Sequence, residues 1–190
     1  MDESPFFIGK YLQREDIMTK SIKIGIDQSF TKTGLVFNFN DCDRIDSMII
    51  TGKKSDEPYD IFKRAKLMAD NILTNILNTC NEFPLHEVKI NIEGLSFGSA
   101  GAAAAANRDL AGLQFIIMTL LLEHFGEHSI SIVAPTSLKK FASGKGNCDK
   151  DAMVEAVKQK SEAFYEKLLT IPKTKGRFDL ADAFWLANYS

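Results

Sequence analysis

The feature that most constrains the fold of this sequence is an alternating apolar run that ends in an acidic residue. Ile22, Ile24 and Ile26 alternate with other residues and lead directly to Asp27. Alternation with a period of two is typical of a β-strand, and isoleucine favours strands. We therefore expect Asp27 at the carboxyl end of a buried strand, where open α/β sheets bind their ligands.

Further periodic segments follow at the spacing of an α/β domain. Two short strands at 34–39 and 44–51 suggest an antiparallel meander with the first strand. The later pattern predicts a helix at 59–80, a strand ending at Glu93, an apolar helix at 102–122, a strand at 130–134, and helices at 135–141, 149–165 and 179–189. This order predicts an α/β sandwich with a mixed five-stranded sheet. Many α/β folds share the order, among them the ribonuclease H-like three-layer α/β/α sandwich.

Length and charge indicate one acidic domain with a basic segment. The 190 residues are 45% hydrophobic, enough for one sizeable core. We place one globular domain at 21–190 and an N-terminal extension at 1–20. The net charge is −2, which excludes a uniformly basic nucleic-acid coat protein. However, ten Lys/Arg and five Asp/Glu lie between Lys139 and Arg177, so this stretch is locally basic.

The cysteines and the amino terminus bear on the cellular compartment. Three cysteines, Cys42, Cys80 and Cys148, fit neither a disulfide framework nor a CxxC metal site, which favours a reducing compartment. No stretch reaches 18 uninterrupted apolar residues, and the N-terminus lacks a basic signal region. We therefore expect a cytoplasmic protein with no membrane partner.

Four acidic residues on three predicted elements are the candidate catalytic groups. Asp27 and Glu93 end two strands, and Asp179 and Asp182 lie three apart on one helix face. Four converging carboxylates repel one another unless divalent cations neutralise them, and oxygen ligands favour Mg²⁺ or Mn²⁺. Two such ions would support phosphodiester hydrolysis. Asp27 as a turn residue and Asp179 as a helix N-cap remain the structural alternatives.

The sequence also resembles the RuvC-type Holliday junction resolvases, especially short phage-encoded members. The resemblance spans about 22–187 and rests on the order of several short motifs, which are Ile24-Gly25-Ile26-Asp27-Gln28-Ser29 with Thr33-Gly34, Ile92-Glu93-Gly94, Val133-Ala134-Pro135-Thr136, Gly144 to Lys150, and Asp179-Leu180-Ala181-Asp182-Ala183. It implies a ribonuclease H-like fold and a homodimer that resolves four-way DNA junctions by paired symmetric nicks.

The resemblance assigns roles to individual residues. It makes Asp27, Glu93, Asp179 and Asp182 the ligands of two Mg²⁺ or Mn²⁺ ions, and Lys150 the active-site lysine. It also implies that the helix at 102–122 forms the dimer contact. The apolar positions Leu110, Leu113, Ile117 and Leu121 suggest the contacting face, because they exceed what one sheet would cover.

The candidate DNA contacts come from a basic loop and one aromatic residue. Lys139, Lys140, Lys145 and Lys150 surround a glycine-rich loop that is suited to follow phosphates. Bacterial members of the family carry an aromatic residue three positions after the catalytic Glu. Here that position is Ser96 and the aromatic residue is Phe97, which is the corresponding candidate.

Two other functions fit parts of the sequence. The motif around Asp27 also resembles the phosphate-binding hairpin of sugar kinases and actin-like ATPases, although 190 residues leave little room for the second lobe that those folds need. A catalytically inactive junction-binding protein of the same fold is the other alternative. Retention of the four carboxylates and Lys150 argues against it.

Overall fold

A computed structural model describes residues 20–53, 59–95 and 102–190 of the chain. Its five strands are β1 (Ser21–Asp27), β2 (Lys32–Phe39), β3 (Ile45–Thr51), β4 (Glu87–Glu93) and β5 (Ile130–Val133). They form one sheet in the order β3-β2-β1-β4-β5. β2 is antiparallel to β1 and β3, whereas β1, β4 and β5 are parallel. The predicted meander and mixed sheet are therefore confirmed.

Six α-helices in the described ranges cover the two faces of the sheet. They are α1 (Asp60–Glu82), α2 (Ala102–Phe125), α3 (Pro135–Ser143), α4 (Lys150–Lys160), α5 (Glu162–Thr170) and α6 (Arg177–Asn188). Helices α1 and α2 share one core with the isoleucines of β1, and α3 to α6 share a second core on the opposite face. The fold is thus the predicted ribonuclease H-like α/β/α sandwich.

The central strand owes its position to its side chains. Ile22, Ile24 and Ile26 are fully buried under α1 and α2. The small Gly25 lies on the opposite face, where α6 packs directly on the strand. Because β1 is covered on both faces, it is a central strand of the sheet and not an edge strand.

The largest differences from the predicted helices lie in the last part of the chain. The expected helix at 149–165 is two helices, because Ser161 ends α4 and its hydroxyl accepts a hydrogen bond from the Phe164 amide to cap α5 (3.2 Å). The last helix begins at Arg177, with Gly176 as its N-cap, so Asp179 is in its first turn. The N-cap alternative for Asp179 is therefore wrong.

The expected dimer face of α2 is corrected by the structure. Leu113, Ile117 and Leu121 are at most 1% exposed and pack in the core with the sheet and α1, and Leu110 packs against the same core. The large apolar side chains that α2 leaves exposed, among those described, are Phe115 and Leu122. The four residues do form one apolar stripe of the helix, but the sheet and α1 cover this stripe, so it belongs to the core and not to an interface.

Helix α2 is also the one helix in the described ranges that is long and apolar enough, by length and composition, to cross a membrane. In the fold it forms part of a layer over the sheet, and Leu113, Ile117 and Leu121 face that core.

The proposed extension at 1–20 falls almost wholly on residues outside those that the structure describes. The division at residue 20 therefore stays a prediction.

Candidate active site

The parallel pairing of β1 and β4 brings Asp27 and Glu93 together. Ile26 is in register with Ile92, so the two acidic residues that follow them end neighbouring strands at the same edge of the sheet. Each carboxyl group affects the pKa of the other, so the two groups lie close together. Asp27 is 9% exposed, which makes it the most enclosed of the four candidate carboxylates.

The turn after β1 is shaped by hydroxyl groups of the motif. The Ser29 hydroxyl accepts hydrogen bonds from the Thr31 and Lys32 amides (3.2 and 2.9 Å). The Thr33 hydroxyl donates to the Ser29 carbonyl oxygen at 3.0 Å. Ser29 and Thr33 thus close a tight turn that returns β2 beside Asp27, with Gly34 directly opposite it.

Close approach of α6 to the sheet supplies the other two carboxylates. A Cβ atom on Gly34 would lie 2.2 Å from the Asp179 carbonyl oxygen, and one on Gly25 would lie 1.9 Å from the Ala183 carbonyl oxygen. Only residues without a side chain fit there. The absence of these side chains lets the first two turns of α6 carry Asp179 and Asp182 to the ends of β1 and β4.

The four carboxyl groups perturb one another as a single electrostatic cluster. Burial raises the pKa of Asp27 well above its ordinary value, and the charges of Glu93, Asp182 and Asp179 raise it further. Burial also raises the pKa of Glu93, against the opposing hydrogen bond from Asp27 and the charges of Lys150 and Lys139. Asp27 therefore holds a proton more readily than an ordinary aspartate does.

Asp182 and Asp179 belong to the same cluster. Burial, followed by the charge of Glu93, raises the pKa of Asp182 to about 7. Burial raises the pKa of Asp179, while Lys150 and Lys32 lower it. The four sequence-predicted carboxylates are therefore brought together at one end of the sheet.

Two of the four predicted lysines reach this cluster. Lys150, the first residue of α4, lowers the pKa of all four carboxyl groups, and Lys139 lowers those of Glu93 and Asp182. Asp149 is the predicted N-cap of α4, and its carboxylate accepts from the Ala152 amide at 2.8 Å. Lys140 and Lys145 are exposed near the end of α3. Phe97 and Ser96 lie outside the described residues.

The donor chemistry of the cluster fits divalent cations. It consists of carboxylate oxygens in a largely buried setting, and a divalent cation would offset the repulsion between their negative charges. However, no group of three or more His, Cys, Asp or Glu side chains is arranged to hold a single ion in the described part of the chain. Asp27, Glu93, Asp179 and Asp182 are thus suitable ligands that do not form a closed coordination site as they stand.

Two buried glutamines next to Glu93 were not singled out as site residues from the sequence. The side-chain amides of Gln28 and Gln114 both donate to the Glu93 carbonyl oxygen, at 3.2 and 2.9 Å. Gln114 belongs to α2 and Gln28 follows β1, so two elements fix the end of β4. A buried glutamine on an apolar helix was the signal available in the sequence, because such a group needs a partner.

Comparison with known proteins gives structural but no sequence matches. No family model matches the chain, and no curated protein sequence matches it significantly. A structure of Thermus thermophilus RuvC is similar, with 19% identity, a TM-score of 0.55, and coverage of 87% of this chain and 90% of that one. Thermus thermophilus RuvC in complex with a Holliday junction substrate is similar at 18% identity, with a TM-score of 0.56 and coverage of 88% and 90%. The chain has a RuvC-like fold.

Proposed function

We propose that the chain is a metal-dependent endonuclease that resolves four-way (Holliday) DNA junctions, as a short, phage-type relative of RuvC. The observation that carries the proposal is the cluster of four carboxylates with Lys150 at the ends of β1 and β4 in a RuvC-like fold. The similar Thermus structure holds a Holliday junction substrate, which supports branched DNA as the ligand class.

The proposed chemistry is hydrolysis of a phosphodiester bond. Asp27, Glu93, Asp179 and Asp182 would hold two Mg²⁺ or Mn²⁺ ions, which supply an activated water and neutralise charge on the leaving oxygen. In the same proposal, the Lys150 ammonium stabilises negative charge that develops on the scissile phosphate. Lys139 adds a second positive charge beside Glu93 and Asp182.

The proposed DNA path runs from this cluster over the basic loop. Lys140 and Lys145 are exposed where α3 leads into the glycine-rich loop before α4. Mobile surface lysines of this kind neutralise phosphates without reading sequence. Because Lys139 perturbs the carboxylates, we assign it to the edge of the active site as well as to the DNA path.

We propose a homodimer whose contact includes the outer face of α2. Phe115 is 75% exposed and Leu122 is also exposed on that helix, and Phe62 is exposed on the neighbouring α1. A groove of about 640 Å³ between the two helices is lined largely by apolar side chains, among them Ile61, Phe62 and Ile116. An exposed apolar surface of this kind is typical of an interface. Two copies would also provide one active site for each of two opposed strands.

The decisive experiment compares DNA substrates and ions. Purified protein is incubated with labelled four-way, three-way and linear duplex DNA in Mg²⁺, Mn²⁺ or EDTA. We expect paired, symmetric nicks in the four-way junction with Mg²⁺ or Mn²⁺ and none in EDTA. Cleavage of all branched DNAs alike would indicate a general structure-selective nuclease. Junction binding with no cleavage in either ion would identify an inactive binding protein, and ATP binding would favour a phosphotransferase.

A further inference from the structure

The ring of Phe178 contacts the ammonium groups of two lysines beside the carboxylate cluster. Phe178 lies in the first turn of α6, directly before Asp179, and packs against the core of α3 to α6. The Lys150 Nζ atom is 5.7 Å from the ring centroid, and the Lys173 Nζ atom is 5.5 Å from it. Both distances lie within the range of cation–π attraction.

The contact with the Phe178 ring restricts the position of the Lys150 side chain. Lys150 is exposed at the start of α4, and a free lysine side chain samples many rotamers. Its charge nevertheless acts on all four carboxyl groups in the structure. An aromatic face next to the stem selects the rotamers that keep the ammonium group near the cluster.

Lys173 makes the arrangement more specific. It shares the ring with Lys150, but its ammonium group is also ion-paired with Asp151 at 2.5 Å. Asp151 is the immediate neighbour of Lys150 in α4. The Asp151 carboxylate therefore offsets the charge of Lys173, which reduces the repulsion between two ammonium groups on one ring and leaves the charge of Lys150 to the carboxylate cluster.

We propose that Phe178 is a positioning residue that holds the ammonium group of Lys150 toward the carboxylates of Asp27, Glu93, Asp179 and Asp182. The inference rests on the proposed nuclease function for its catalytic consequence. The contact itself is a property of the folded protein and is tested without any reaction.

The first test measures the contact by NMR. In protein labelled with ¹³C-lysine, the Cε methylene signals of Lys150 and Lys173 are assigned with Lys150→Arg and Lys173→Arg. Ring currents of Phe178 should shift both signals upfield. The shifts should vanish in Phe178→Leu, which keeps an apolar side chain, and persist in Phe178→Tyr, which keeps the aromatic face. An unshifted Lys150 signal in the parental protein overturns the proposal.

The second test measures single-turnover cleavage of a four-way junction at saturating protein. Phe178→Leu should slow cleavage roughly threefold to tenfold and leave junction affinity unchanged, whereas Phe178→Tyr should restore the rate. Lys150→Ala should slow cleavage on the order of a hundredfold. Adding Phe178→Leu to Lys150→Ala should have no further effect, because the positioned group is gone.

Phe141→Leu is the matched control. Phe141 is an aromatic residue of α3 that also packs on α6. Its ring centroid is 6.0 Å from that of Trp185 in α6. The Phe141→Leu variant should cleave the junction at the parental rate. Equal losses in the Leu and Tyr variants, or additive effects with Lys150→Ala, would overturn the positioning role. If the parental protein binds junctions without cutting them, the proposed function is overturned instead. In that case the NMR shifts alone show whether Phe178 contacts Lys150.

Discussion

Asp27 is the residue that interacts with every other member of the carboxylate cluster. We predict that Asp27→Asn or Glu93→Gln abolishes cleavage while junction binding is retained, because the carboxylates would hold metal whereas phosphate contacts supply affinity. Binding of either variant is expected to tighten slightly, since one negative charge near the phosphates is lost. Cleavage and junction affinity are measured in the same buffer.

Asp43→Asn is the control for that experiment. Asp43 is exposed in the turn between β2 and β3, at the opposite end of the sheet. The Asp43→Asn variant loses the same negative charge and should cleave junctions at the parental rate. If Asp27→Asn lost binding and cleavage in equal measure, the carboxylate would be acting on DNA affinity or folding rather than on metal.

The pKa of Asp182 gives a second residue-scale prediction. Its folded-state pKa of about 7 is raised, so the folded protein keeps a proton that the unfolded chain releases. The stabilisation that this proton provides is fully present when the pH is below the pKa of Asp182 in the unfolded chain. It is lost as the pH rises through about 7, the pKa in the folded protein. Without divalent cations, the melting temperature should therefore be lower at about pH 8 than at about pH 5.5.

Asp182→Asn identifies the source of that pH dependence. The amide does not titrate, so the variant should show a flatter change in melting temperature over the same range. Saturating Mg²⁺ or Mn²⁺ should raise the melting temperature of the parental protein most at the alkaline end, where the carboxylates are charged. A pH profile identical in the variant and the parent would assign the effect to other groups.

At the scale of elements, the fit of α6 on the sheet decides where two carboxylates lie. Gly34→Ala places a Cβ atom 2.2 Å from the Asp179 carbonyl oxygen, so α6 must move. We predict a loss of about 1–3 kcal/mol in the free energy of unfolding, which is typical of overpacking, and a larger relative loss of cleavage. Thermal or denaturant unfolding and cleavage rates check this.

Gly112→Ala provides the contrast on another helix. Gly112 is exposed on α2, and a Cβ atom there would have no atom within 4 Å. Alanine has the higher helix propensity, so this variant should be as stable as the parent or slightly more stable. If Gly34→Ala were equally harmless, α6 would not be held as tightly against β2 as the structure shows.

At the scale of the whole molecule, α2 faces both the core and the proposed partner. Phe115 is 75% exposed and Leu113 is fully buried, although they are two residues apart. We predict that Phe115→Glu yields a folded monomer, because it places charge only in the proposed interface. Leu113→Glu should unfold the protein, because it buries an unpaired carboxylate in the core.

Light scattering and circular dichroism separate these outcomes. The parental protein should have the mass of a dimer, and Phe115→Glu the mass of a monomer with unchanged secondary structure. A dimer mass for folded Phe115→Glu would place the interface on another surface.

Local pattern determined the strands along the chain and the acidic residues at the ends of two of them. Alternation marks a strand wherever it lies, and the position of Asp27 and Glu93 directly after apolar runs is a property of neighbouring residues. Parallel pairing of β1 with β4, which is a feature of the tertiary structure, then brings the two together. The fold class and the four candidate carboxylates were for this reason accessible from the sequence.

Tertiary packing alone decided which face of each helix is buried and what the carboxylates encounter. The apolar stripe of α2 did not show by itself whether the sheet or a partner covers it, and the close approach of α6 depends on two glycines in different strands. The bonds from Gln28 and Gln114 to the Glu93 carbonyl join residues 65 and 21 positions from it in the chain. Burial and such long-range hydrogen bonds exist only once separate elements pack together, so no local pattern specifies them.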